Sequence, residues 1–233
     1  MKVYFIRHAQ SLNNAIWENT GSSKGRNEDP ELSEKGVQQL TYLSNYFIEK
    51  QTQSNGHEKF SFTHLYSSPM VRAIRTGLSV SSIFDLKIKL MVDLHEGGGI
   101  FLEDETGKLN GLPGKPRSYF LQQFPEVIPD EAMEETGWWN RPFEPFDQRL
   151  LRAQRVWKYL VATHQDEDCI GLFSHAGFFN YFLSHITQRT LSEEIWFELN
   201  NAGITQIDYD KAHDKINIRY VNKNHFLPVE LIT

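Results

Sequence analysis

Short apolar runs, each ending in a polar residue of distinctive chemistry, punctuate this chain. Val3-Tyr4-Phe5-Ile6, aromatic and β-branched and bounded by polar residues, predicts a strand over residues 2–7 buried on both faces, with Arg7 and His8 at its C-terminal end. Phe62 to Tyr66 predicts a second strand, followed by Ser67-Ser68 and by Pro69, which suits a first helical position. The helix that follows carries Arg72 one turn from its start. Residues 169–174 repeat the pattern and run into His175-Ala176-Gly177. Lys87 to Leu94 alternates loosely, predicting a third strand that leads to His95-Glu96 and three glycines. Gly203–Tyr209 and Lys215–Val221 alternate around a polar turn, a hairpin at the sheet edge.

Between these runs the period lengthens. Ser11 to Glu18 reads as a short helix. Ser33 caps a longer one with apolar positions at Val37, Leu40, Leu43, Phe47 and Ile48. Phe146 to His164 and Phe178 to His185 are two further helices. Residues 19–29 form a loop rich in Gly, Ser, Asn and charge, and residues 51–59 a polar linker in which His57 is expected to be exposed. From Ile100 to Pro145, glycine, proline and acidic residues are interrupted by aromatics, which reads as a cap with a short helix at 117–124. Trp138 and Trp139 either cover a substrate there or pack on the body, and Lys108, Lys115, Arg117 and Arg141 are candidates to meet a second anionic group.

Composition narrows the classes. At 233 residues and 39% hydrophobic the chain can build one sizeable core, and a net charge of −6 argues against a nucleic-acid or anionic-membrane surface. Affinity for an anion must then come from a local cluster. Cys169 alone cannot form an internal disulfide and belongs to the core. No apolar run reaches the roughly 20 residues of a membrane helix or resembles a leader, so a cytoplasmic protein is expected.

Ligands of open α/β sheets bind at the C-terminal ends of the strands. There the sequence places a guanidinium that grips phosphate oxygens as a fork (Arg7), an imidazole that serves as nucleophile or acid-base (His8), and a second Arg and His (Arg72, His175). Arg72 also lies near a helix N-terminus, which favours anions.

With these residues in order, the sequence resembles the histidine phosphatase superfamily, also called phosphoglycerate mutase-like. The resemblance rests on Arg7-His8-Ala9-Gln10-Ser11 with Asn14, residues 29–36 (Asp-Pro-Glu-Leu-Ser-Glu-Lys-Gly), Ser67-Ser68-Pro69 with Arg72-Ala73 and Thr76, Leu94-His95-Glu96, and Ser174-His175-Ala176-Gly177. Ala9 and Ala176 stand where the family usually has Gly. The implied fold is α/β, a three-layer αβα sandwich with a mostly parallel central sheet, one antiparallel edge strand and a cap inserted at about 97–145 of a single domain spanning 1–233.

The resemblance implies catalytic His8, Glu96 and His175, with His8 the nucleophile and Glu96 the proton donor, and phosphate binding by Arg7, Asn14, Arg72 and His175. Thr20 and Gly21 lie at the separation from Asn14 of a substrate-binding Thr-Gly in the mutases. The implied activity is that of a metal-independent phosphomonoesterase, a phosphoric monoester hydrolase of histidine acid phosphatase type, acting through phosphohistidine on a small phosphorylated metabolite or a broad range of monoesters. No cofactor, metal, nucleic acid or membrane is expected, and the chain is expected as a monomer or homodimer. A cofactor-dependent phosphoglycerate mutase shares the chemistry, and a non-catalytic scaffold shares the fold; the second is disfavoured because every catalytic residue is present.

Overall fold

The computed structural model describes residues 1–52, 60–189 and 195–233; His57 lies outside the described residues. In chain order these form β1 (Lys2–Arg7), α1 (Leu12–Thr20), α2 (Glu34–Thr52), β2 (His64–Ser67), α3 (Val71–Phe84), β3 (Ile88–Leu90), β4 (Phe101–Glu103), β5 (Leu109–Gly111), α4 (Arg117–Gln123), β6 (Val127–Ile128), α5 (Phe146–Thr163), β7 (Cys169–Ser174), α6 (Ala176–Ile186), β8 (Ile204–Asp210) and β9 (Lys215–Lys223). Seven strands make one sheet in the order β6-β3-β2-β7-β1-β8-β9. The pairs from β6 to β1 are parallel; β8 runs antiparallel to β1, and β9 completes the edge hairpin. The fold is thus α/β with a mostly parallel sheet, as its strand pattern predicts.

Because side chains alternate across a strand, β1 feeds two cores. Tyr4 and Ile6 join Leu43 and Phe47 of α2 and Val71, Ile74 and Val80 of α3 on one face. Val3 and Phe5 join Ala153, Val156 and Leu160 of α5 and Phe178, Phe179 and Phe182 of α6 on the other. The result is three layers. The parallel strands all end at the same edge, and residues 7–8, 67–68 and 174–175 meet there.

Several local readings change. The long outer helix buries Leu43 and Phe47 as expected but turns Val37 and Ile48 to solvent and buries Gln39 and Tyr46 instead. Gln39 explains the rotation: its side-chain oxygen accepts the Gln10 N–H at 2.7 Å and its amide donates to the Leu231 carbonyl at 2.7 Å. The expected third strand is only three residues long, followed by a 3₁₀ turn over Val92–Leu94. The stretch after it holds a two-stranded hairpin, β4–β5, apart from the main sheet, while β6 pairs with β3. Trp138 and Trp139 are buried among the residues that pack on the body. No described helix is long and apolar enough to cross a membrane.

Candidate active site

The backbone of His8 is held from both sides: its N–H donates to the Ser174 carbonyl at the end of β7 at 2.9 Å, and its carbonyl accepts the side-chain amide of Asn201, just before β8, at 2.9 Å. The next N–H, of Ala9, donates to Thr76 Oγ1, which itself donates to the Arg72 carbonyl, so β1 and α3 are locked together. His8 Nδ1 lies 2.7 Å from the Ala9 carbonyl, which can only accept; Nδ1 therefore carries the proton and Nε2 the lone pair. Arg72 Nε–H donates to that Nε2 at 3.2 Å. Burial, then the Arg72 and Arg7 charges, hold His8 well below the usual imidazole range, so it is neutral.

Two guanidiniums flank it, that of Arg72 on a buried residue and that of Arg7 on a partly buried one. Burial pulls Arg7 down to about 10 against the pull of Glu96, which leaves it charged at neutral pH. Its Nη1 donates to the Leu199 carbonyl, while its Nε is buried without a partner among the described residues. Arg72 Nη1 lies 3.9 Å from Asp29 Oδ1, and the same oxygen accepts the Val71 N–H at the start of α3. Burial pushes Asp29 up to about 6, in spite of Arg72 and the Val71 N–H. His175 faces His8 with ring centroids 5.0 Å apart. Its Nε2 is 2.9 Å from Ser68 Oγ, and its Nδ1 is buried with no partner among the described residues. Burial and the Arg72 charge hold it well below the usual imidazole range too.

Glu96 approaches from the segment after β3. Its carboxylate accepts the N–H groups of Gly97 at 2.7 Å, Phe178 at 3.0 Å and Gly177 at 3.2 Å, so it sits on the N-terminus of α6. Its charge is felt by Arg7, Arg72 and Arg26. The segment that carries it is anchored from below. Arg152 grips buried Glu144 through two bonds of 2.6 and 2.8 Å and donates to the Asp93 and His95 carbonyls at 2.8 Å each. His95, itself buried, packs edge-on against Trp139 at 4.6 Å and donates Nδ1–H to the Glu96 carbonyl.

The structure thus brings Arg7, His8, Arg72, Glu96 and His175 together. Asn14 closes the rim: its oxygen accepts the Ser11 N–H at 3.1 Å and the Asn201 amide at 3.4 Å, and its own NH₂ has no acceptor among the described residues. Thr20 and Gly21 are not brought to the cluster. Thr20 donates to its own helix at the Ile16 carbonyl, and Gly21 ends α1 in the left-handed conformation, φ +63°; both are exposed.

In their place the loop presents Arg26. Its guanidinium lies 4.4 Å over the Phe101 ring with Nε buried and unpartnered among the described residues. Of the cap cations, Lys115 acts on Asp29, whereas Arg117 donates to the Asp130 carbonyl, Arg141 lies over Trp139, and Lys108 is exposed.

An α/β sheet whose parallel strands deliver a neutral His, two arginines, a second His and a helix-bound carboxylate to one edge defines a class of protein before any comparison is made. The sequence model of the histidine phosphatase superfamily (branch 1) matches residues 3–222, and the chain belongs to that superfamily. Among solved structures it is similar to Entamoeba histolytica phosphoserine phosphatase in complex with 3-phosphoglyceric acid, at 19% identity over 97% of this chain and 99% of that one, with a TM-score of 0.60. It is also similar to a mycobacterial glucosyl-3-phosphoglycerate phosphatase (17% identity, 96% and 99% covered, TM-score 0.60). A putative alpha-ribazole-5'-P phosphatase of Escherichia coli is a third (16%, 96% and 97%, TM-score 0.63). No curated protein sequence matches the chain.

Proposed function

We propose that the protein is a metal-independent phosphomonoesterase that transfers the phosphoryl group of a small metabolite to His8 and then to water. The observation that carries this is the state of His8: neutral, Nδ1–H spent on the Ala9 carbonyl, and the Nε2 lone pair facing Arg72. A nucleophile must present a lone pair, and a phosphoryl group needs cations around its equatorial oxygens.

On substrate binding the Arg72 Nε–H passes from Nε2 to a phosphoryl oxygen. Nε2 attacks phosphorus, the phosphorus–oxygen ester bond breaks, and the leaving oxygen takes a proton that Glu96 has received from the monoanionic substrate. Arg7, Arg72, the Asn14 amide and the unpartnered Nδ1 of His175 receive the oxygens as charge gathers on them. Water then attacks the phosphohistidine, giving its proton to Glu96 as the phosphorus–nitrogen bond breaks; phosphate departs and His8 is restored. The phosphatase names of the similar structures support the reaction class, and Arg26 and Lys115 at the rim suit a substrate with further negative charge.

The test is hydrolysis of an aryl phosphate in excess chelator by wild type and His8→Ala, with acid quenching. Turnover and an acid-labile phosphoenzyme in the wild type alone are expected. Near-normal turnover by His8→Ala, or activity abolished by the chelator, overturns the reading. Bisphosphate-dependent interconversion of 2- and 3-phosphoglycerate without net hydrolysis assigns the same chemistry to a mutase.

A further inference from the structure

At the opposite end of the strands three side chains converge, one from β2 and two from the connection between α5 and β7. His64 opens β2, His164 follows the last residue of α5, and Asp168 precedes β7. His164 Nδ1 lies 3.0 Å from Asp168 Oδ2, and His64 Nδ1 lies 3.7 Å from Asp168 Oδ1. One ligand atom from each of the three falls within 4.8 Å of the other two. The imidazoles meet with ring centroids 4.4 Å apart at 70°. We infer that His64, His164 and Asp168 form a binding site for a divalent transition metal ion of the zinc class.

Ligands about 2.0–2.2 Å from a tetrahedral zinc ion stand roughly 3.4 Å apart, and the separations of 3.0 and 3.7 Å to the Asp168 oxygens bracket that spacing. Two imidazoles and one carboxylate suit Zn²⁺ or Co²⁺ better than Mg²⁺ or Ca²⁺, which prefer oxygen donors. A hydrogen bond to Asp168 accounts for His164 by itself. The Thr63 hydroxyl now sits between the other pair, 2.9 Å from His64 Nδ1 and 3.2 Å from Asp168 Oδ1, and an ion held by all three ligands would take its place.

A metal-binding histidine also needs an acceptor for its second N–H. His164 Nε2 lies 3.0 Å from the Tyr66 hydroxyl, which lies 3.5 Å from the Tyr159 hydroxyl. With a proton on Nδ1, His164 donates to Asp168 and accepts from Tyr66. With a metal on Nδ1, the proton moves to Nε2 and is donated to Tyr66, whose own proton turns to Tyr159. No buried polar atom is orphaned in either state. His164 is buried, whereas His64 and Asp168 are partly exposed, which leaves a fourth position open to water.

β7 has six residues. At about 3.3 Å per residue, its two ends stand roughly 20 Å apart. The ion therefore takes no part in phosphoryl transfer; it ties β2, α5 and the start of β7 together. His64 and His164 are a hundred positions apart, so no His-x-x-x-His or Cys-x-x-Cys spacing signals the site.

The test uses Zn²⁺ and Co²⁺ alone, titrated into metal-free protein by calorimetry and visible absorption. Expected are one Zn²⁺ per chain, Co²⁺ bands of tetrahedral intensity, and a rise in melting temperature on adding Zn²⁺. Affinity should fall at least about tenfold in His64→Ala and in Asp168→Asn, with turnover unchanged in both. These two replacements are chosen because His164 is buried and its loss would disturb the fold. Absence of saturable binding overturns the inference. So does binding that survives both replacements and is displaced by phosphate, which would place the ion on the catalytic histidines.

Discussion

Glu96 and Gly177 exclude one another's growth: a Cβ on Gly177 would stand 2.3 Å from Glu96 Oε1. Gly177→Ala should therefore displace the carboxylate while sparing the helix, which holds Gly177 at ordinary helical angles. Turnover is expected to fall by about 10²-fold, the scale of a misplaced catalytic group. The loss should be larger for alkyl than for aryl phosphates, because a poor leaving group depends more on a proton donor. Equal losses on both substrates would separate Glu96 from leaving-group protonation.

Asp29 ties stability to pH. Unfolded, it gives up its proton near pH 4; folded, at about 6. Between those values the folded state holds more protons, so stability falls as pH rises through the window, by up to about 3 kcal/mol. Asp29→Asn removes this contribution. Urea unfolding from pH 4 to 7 should show the variant gaining on the wild type as pH rises, and parallel curves would contradict it.

Glu144 anchors the segment bearing Glu96. Glu144→Ala leaves Arg152 buried without its bidentate partner, and stability should drop by about 3–5 kcal/mol. Glu144→Gln, which keeps one acceptor, should lose less. Denaturant midpoints at constant slope report both.

Arg26 and Thr20 separate the loop's functional end from its structural one. Arg26→Ala should lower kcat/KM about tenfold or more for monoesters carrying a second anionic group, the scale of one charge-assisted hydrogen bond. Thr20→Ala should leave kcat/KM unchanged, since its hydroxyl bonds only to the Ile16 carbonyl and the Ser22 backbone. A loss in Thr20→Ala matching that in Arg26→Ala would return Thr20 to the substrate.

What was legible in the chain was legible because its signal is local. An apolar run ending in Arg-His, Ser-Ser or Ser-His says where a buried strand stops, and strands that stop at one edge must bring those residues together. The separation of Thr20 from Asn14 matches that of the mutases, but spacing alone does not say that α1 continues to Thr20 and that its hydroxyl is used within the helix and its cap. Arg26 reads as one charge in a polar loop; only the ring of Phe101, seventy-five positions on, distinguishes it. Asn201, which holds the His8 carbonyl, precedes a strand without any motif of its own. Glu144 reads as one more acid in an acidic stretch until the start of α5 sets Arg152 beside it. β6, two residues long, is too short for any period to reveal.

The position of β1 also fixes when catalysis can begin. Its neighbours are β7 and β8, whose paired residues lie 167 to 206 positions further along the chain. Pairing over such separations closes long loops and comes late. Until β7 and β8 have docked, Arg7 and His8 stand on an unpaired strand. Recovery of activity during refolding should therefore trail the formation of helices, as the last event rather than a gradual one.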